Sequence, residues 1–84
     1  MSKQRIQNER GWKSWDELPE NRRRYWKKRK GRRWGSQILF KEVLFNPQSN
    51  LEDTLKMWQE VYDDQGKLVE THQKYPTDTG HQKV

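Results

Sequence analysis

The sequence predicts an α+β fold in which a basic N-terminal helix precedes a three-stranded antiparallel β-meander, and three stretches predict it. Residues 19–30 carry the end signals of a helix, residues 37–45 are rich in aromatic and branched side chains, and Asp63-Asp64-Gln65-Gly66 is a hairpin turn between two further extended runs.

The helix is read from its ends. Pro19 suits the first helical position, Glu20 follows it, Lys27, Lys28, Arg29 and Lys30 lie near the far end, and Gly31 stands just past it. Acid at the start, base at the finish and a terminal glycine agree with the helix dipole and with end-capping preferences. Upstream, Ser14 and Glu17 have capping-box spacing, but Pro19 leaves that turn little room to continue. Leu18, Tyr25 and Trp26 fall on one side of the expected helix and anchor it to the domain.

The strands follow. Residues 37–45 end at Asn46-Pro47, a turn signal, and their mixed alternation suits a central strand covered on both faces. Residues 51–62 admit two readings. Leu51, Leu55, Trp58 and Tyr62 recur at helical spacing behind a cap at Asn50, which gives a second helix at 51–63; as a strand, Leu55, Met57, Gln59 and Val61 share one face. The turn at 63–66 and the extended run 67–75 favour the hairpin. Pro76 ends that strand. The expected organisation is therefore a flexible basic arm at 1–11, with Ile6 its single large apolar residue, one small domain at 12–76, and a polar tail at 77–84.

Composition limits what such a domain can do. Of 84 residues, 29% are hydrophobic and 36% charged, so the core is thin and leans on five Trp, three Tyr and two Phe. Cysteine is absent, which excludes a disulfide framework, a thiolate zinc site and thiol catalysis. No continuous apolar run exceeds three residues, and nothing resembles a signal peptide or a membrane span. The expectation is a soluble, cytoplasmic protein, or a nuclear one if the source is eukaryotic.

Charge supplies the functional reading. Residues 1–33 hold thirteen basic and four acidic residues, whereas 34–84 hold five basic and eight acidic ones. Nine of the twelve residues 22–33 are basic: Arg22, Arg23, Arg24, Lys27, Lys28, Arg29, Lys30, Arg32 and Arg33. Tyr25 and Trp26 interrupt the run and Trp34 closes it. Such a stretch neutralises phosphates by counterion release, its rings can stack on exposed bases, and arginine adds planar, bidentate recognition. The nine basic residues together with Tyr25, Trp26 and Trp34 are the expected nucleic-acid contacts, with RNA favoured over duplex DNA. An arginine-rich helix suits splayed bases, and Asn21 is the only amide beside the run for reading a major groove. The function expected is non-enzymatic nucleic-acid binding, alone or within a larger ribonucleoprotein, with no cofactor. Docking of the basic helix onto an acidic protein partner, as an adaptor or inhibitor, is the alternative.

Catalytic motifs are sparse. The five glycines form no nucleotide loop, and no nucleophile turn surrounds any of the four serines. His72 and His81, nine apart with Asp78 between them, match no metal-ligand spacing, and no metal is expected. One enzymatic alternative stands. Glu42, Glu60, Glu70, His72 and Lys74 supply acid, base and cation for metal-independent RNA cleavage, and strand parity puts Glu70, His72 and Lys74 on one face. The helix-then-meander layout resembles the small bacterial ribonuclease toxins of the barnase or RelE type, with no motif of theirs matched residue by residue.

Overall fold

The structure, a computed structural model, describes residues 3–31 and 35–84. A helix, α1 (Lys3–Trp12), precedes six strands: β1 (Ser14–Leu18), β2 (Arg22–Lys30), β3 (Ser36–Asn46), β4 (Leu51–Tyr62), β5 (Leu68–Tyr75) and β6 (Gly80–Lys83). All six form one antiparallel sheet in chain order.

This corrects the expected basic helix followed by a three-stranded meander. Residues 19–30 contain a turn and β2, not a helix, and the only helix among the described residues lies where a flexible arm was expected. Electrostatics explains the strand. A helix would set Arg23 beside Lys27 and Arg24 beside Lys28, like charges at i, i+4 spacing that repel. On β2 alternate residues part to opposite faces, and neighbouring strands bring acids opposite them: Glu17 to Arg23 and Asp16 to Arg24 from β1, and Glu42 to Arg24 from β3. The chain reverses between β1 and β2 through Glu20 and Asn21, both in the left-handed region.

The remaining turns are made by side chains suited to them. Asn46 Oδ1 accepts from the backbone N–H groups of Gln48 and Ser49 between β3 and β4, and Asp63 Oδ1 accepts from those of Gln65 and Lys67 between β4 and β5. Residues 51–62 are thus a strand, and the helical alternative at 51–63 falls. The expected polar tail also differs: Gly80–Lys83 pairs with β5 as an edge strand.

One sheet face packs against α1 and holds the core. Tyr25 and Val43 are fully buried there, with Leu39 close behind, and three polar residues, Arg23, Glu52 and Gln59, are buried among them. Full burial of a ring or branched side chain contributes roughly 1.5–3 kcal/mol. With so few buried apolar groups, polar contacts must hold α1. Gln4, Arg5, Asn8, Glu9 and Trp12 lie on one side of the helix, and each meets the sheet. The Gln4 side-chain oxygen accepts from the Glu52 backbone N–H at 2.8 Å, Arg5 Nε donates to Glu52 Oε2 at 2.8 Å, and Asn8 Nδ2 donates to Glu52 Oε1 at 3.0 Å. Tyr25 donates its hydroxyl to Glu52 Oε1 at 2.8 Å, and Glu9 pairs with Arg23 at 2.7 Å. The Trp12 ring packs 6.5 Å from that of Tyr25.

These contacts set protonation. Burial pushes the Glu52 carboxyl up, but hydrogen bonds from Asn8, Arg5 and Tyr25 outweigh it and hold the group below the ordinary glutamate range. Burial, and then the bond to Glu52, push the Tyr25 phenol up to about 12. Burial also opposes the charge of Arg23, yet its bonds to Glu9 and Glu17 prevail and keep it protonated.

Two predictions follow from this packing. Because the Glu52 carboxyl is depressed in the folded state, the stability it contributes is complete above the ordinary glutamate range, about pH 4–5, and fades as pH falls through the folded value. Glu52→Ala should cost roughly 3 kcal/mol at neutral pH by removing the carboxylate that accepts from Arg5, Asn8 and the Tyr25 hydroxyl, and should flatten the acid limb of stability against pH in urea titrations. Gly35, at φ +72°, should tolerate no side chain, since an added Cβ would collide with the Tyr62 carbonyl oxygen. Gly35→Ala should lower the thermal midpoint by the equivalent of about 1–3 kcal/mol.

Candidate nucleic-acid interface

Strand geometry distributes the basic run over two faces. Arg23 and Tyr25 point into the covered face and are buried, Arg23 additionally bonded to Glu17 at 2.5 Å and stacked 4.8 Å above the Trp15 ring. Both therefore serve the fold. Lys27 shares their face and sits 4.4 Å from the Trp12 ring centre. Arg22 and Arg24 face the open side and converge on Glu42 at 3.6 and 3.4 Å. Trp26 is half-buried on that side, opposite Phe40. Lys28, Arg29 and Lys30 are exposed and have no ion-pair partner among the described residues. Arg32, Arg33 and Trp34 lie outside the described residues.

Arg29 reaches a site that the basic run alone does not reveal. On the covered face a recess of about 360 Å³ is lined by Arg29, Gln37, Gln59, Lys74 and His81, and none of its lining comes from α1. Its floor is a pair of amides, Gln59 Nε2 donating to Gln37 Oε1 at 2.8 Å. Lys74 reaches it through a β-bulge. Gln73 pairs with Trp58 and Tyr75 with Met57, so Lys74 is the extra residue, and such a bulge re-aims the side chain it inserts. Among the described residues every lining side chain can donate a hydrogen bond, two carry fixed positive charge, and none is a carboxylate.

Two histidines stand at the β6 side of this recess. His72 and His81 are register partners on β5 and β6, with ring centroids 4.5 Å apart. Each is held by a carboxylate: His72 Nε2 meets Asp78 Oδ1 at 2.6 Å, and His81 Nδ1 meets Glu70 Oε1. Asp78 is itself lowered, first by the backbone N–H of Gly80 and then by His72. His72 is largely covered and its Nδ1 is buried without a partner, whereas the His81 side chain is 58% exposed. Among the described residues no group of three or more His, Cys, Asp or Glu side chains is arranged to hold a metal ion.

The open face carries a second recess, of about 600 Å³, beside Trp58 and lined also by Lys56, Glu60, Thr71, Gln73, Thr79 and Gln82. Trp58 stacks on Phe40 at 4.8 Å and 11°, with Lys56 at 4.9 Å and Arg24 at 5.7 Å from its ring centre. Glu60 orders this region, accepting from Trp58 Nε1 at 3.2 Å and from the Tyr62 hydroxyl at 2.6 Å. That last bond, helped by burial, pushes the Tyr62 phenol up to about 12.

The structure thus brings Glu70 and His72 to one face by strand parity and Lys74 to it through the bulge, and brings Arg29 to the same face across β3 and β4. Gln37 and Gln59 escaped sequence reasoning as site residues, and His81 was weighed there only as a metal ligand. The His72–His81 spacing was the available signal, legible only as a hairpin once β6 is recognised. No helix among the described residues is long and apolar enough to cross a membrane. No family model, curated protein or solved structure matches the chain.

Proposed function

We propose that the chain binds nucleic acid, RNA in preference to duplex DNA, with phosphate seated in the recess between Arg29 and Lys74. The observation that carries this reading is the lining: two cations, two amides and an imidazole, without a carboxylate, converge from β2 to β6 on one concavity. Lys28 and Lys30 flank Arg29 along β2 but face the open side, where they offer further exposed charge to a strand that reaches both faces, each phosphate neutralised releasing counterions.

A flexible single strand suits the layout better than a rigid duplex. The recesses lie on opposite faces and flank β6, where His81 lines one and Gln82 the other. A strand rounding that edge can set a phosphate by Arg29 and Lys74 and a base against Trp58, whose ring has room beside it.

Both cations are exposed, so their removal should leave the fold intact. The double variant Arg29→Ala, Lys74→Ala should bind a labelled mixed-sequence single-stranded RNA about tenfold or more weakly at low salt. Its plot of log affinity against log salt should lose about 1.4 units of slope, roughly 0.7 per phosphate contact. Unchanged affinity and slope would sink the proposal.

A further inference from the structure

We infer that the same recess cleaves RNA, with His81 as general base, Lys74 as general acid and Arg29 as the phosphate clamp; this rests on the binding reading above. Four observations converge on it. Glu70 holds His81 through Nδ1, which leaves Nε2 as the nitrogen free to exchange a proton. The His81 side chain is 58% exposed, so substrate can reach it. His72 packs against its ring at 4.5 Å and is fixed by Asp78, which limits how far His81 can turn. Arg29 and Lys74 line the recess with it, as a phosphodiester between base and acid requires.

The chemistry balances without any further reactant. The 2′ oxygen of a bound ribonucleotide forms its bond to phosphorus while the bond from phosphorus to the 5′ oxygen of the next nucleotide breaks. The 2′-hydroxyl proton passes to His81 Nε2, and the leaving 5′ oxygen takes a proton from the Lys74 ammonium. The products are a 2′,3′-cyclic phosphate and a free 5′-hydroxyl, and solvent returns both groups to their starting states. Glu70 and His72 act through His81 and are positioning residues. A DNA strand lacks the nucleophile and is a binder only.

The experiment incubates the whole chain, in EDTA and at low salt, with a labelled mixed-sequence single-stranded RNA and with the same oligonucleotide in 2′-deoxy form. Binding of each is measured in parallel. The expected result is RNA cut to fragments ending in 2′,3′-cyclic phosphate and DNA bound but intact. His81→Ala should keep its thermal midpoint and lose cleavage about 100-fold or more, with partial recovery on adding free imidazole. Glu70→Gln should lower kcat with KM unchanged. RNA bound but left intact would overturn the cleavage inference while leaving the binding reading standing, and absence of binding to either strand would overturn the binding reading itself. Cleavage undiminished in His81→Ala would mark a contaminating nuclease and equally overturn the inference.

Discussion

A buried carboxylate joins α1 to the sheet. Glu52 takes hydrogen bonds from Arg5, Asn8 and Tyr25 through its side chain and one from its own backbone to Gln4, so a single residue of β4 meets three residues of the helix and one of β2. Desolvating a charge is costly, and the arrangement is tolerable because both oxygens are fully engaged. Lys41 extends the cluster by donating to Asn8 at 2.9 Å, with burial lowering its own tendency to hold a proton. Where a larger domain would cover this face with leucines, a chain that is 29% hydrophobic covers it with matched polar groups and three rings, Trp12, Trp15 and Tyr25.

The same economy shapes the surface. A strand parts its side chains in alternation, so a dense basic run becomes two sets with different duties. Arg23 is consumed by Glu9 and Glu17, and Arg22 and Arg24 by Glu42. Among the described residues of the run, Lys27 meets the Trp12 ring and Lys28 to Lys30 keep their charge unpaired, with Arg29 lining the same recess as Lys74 above the amide pair. Counting basic residues therefore overstates the positive surface. The acids opposite them, not the run itself, decide which cations remain for a ligand.

Legibility in the sequence followed the kind of force involved. The strands around 37–45 and 67–75 and the turn at 63–66 were readable because apolar and β-branched residues and turn formers announce themselves locally, whereas 51–62 carries helical and strand spacings together and was favoured as a strand through the turn that follows it. β2 was misread because Pro19, Glu20 and Gly31 mimic helix ends, while the partners that favour a strand, Glu17 and Glu42, lie outside its window. α1 was invisible for a complementary reason: its contact face is Gln4, Arg5, Asn8 and Glu9, with Trp12 the one large apolar member, so no hydrophobic period marks it. β6 has no β-branched or large apolar residue and forms only because Asp78 and Gly80 turn the chain back onto β5. For the site, Glu70 and His72 followed from parity, whereas Lys74 joins them through a bulge and Arg29 through sheet order, neither of which spacing alone gives.

Sheet order also governs how this chain acquires its form. Each strand pairs only with its neighbour in sequence, so the meander can zip up hairpin by hairpin without closing a long loop. The contact of Arg5 with Glu52 spans 47 residues and is affordable only after β1 to β4 have drawn those positions together. A ten-residue helix is marginal in water by itself, which makes α1 the last piece to lock and the first to let go. Its departure would uncover Tyr25 and Val43 while the distal recess, to which it contributes nothing, kept its shape.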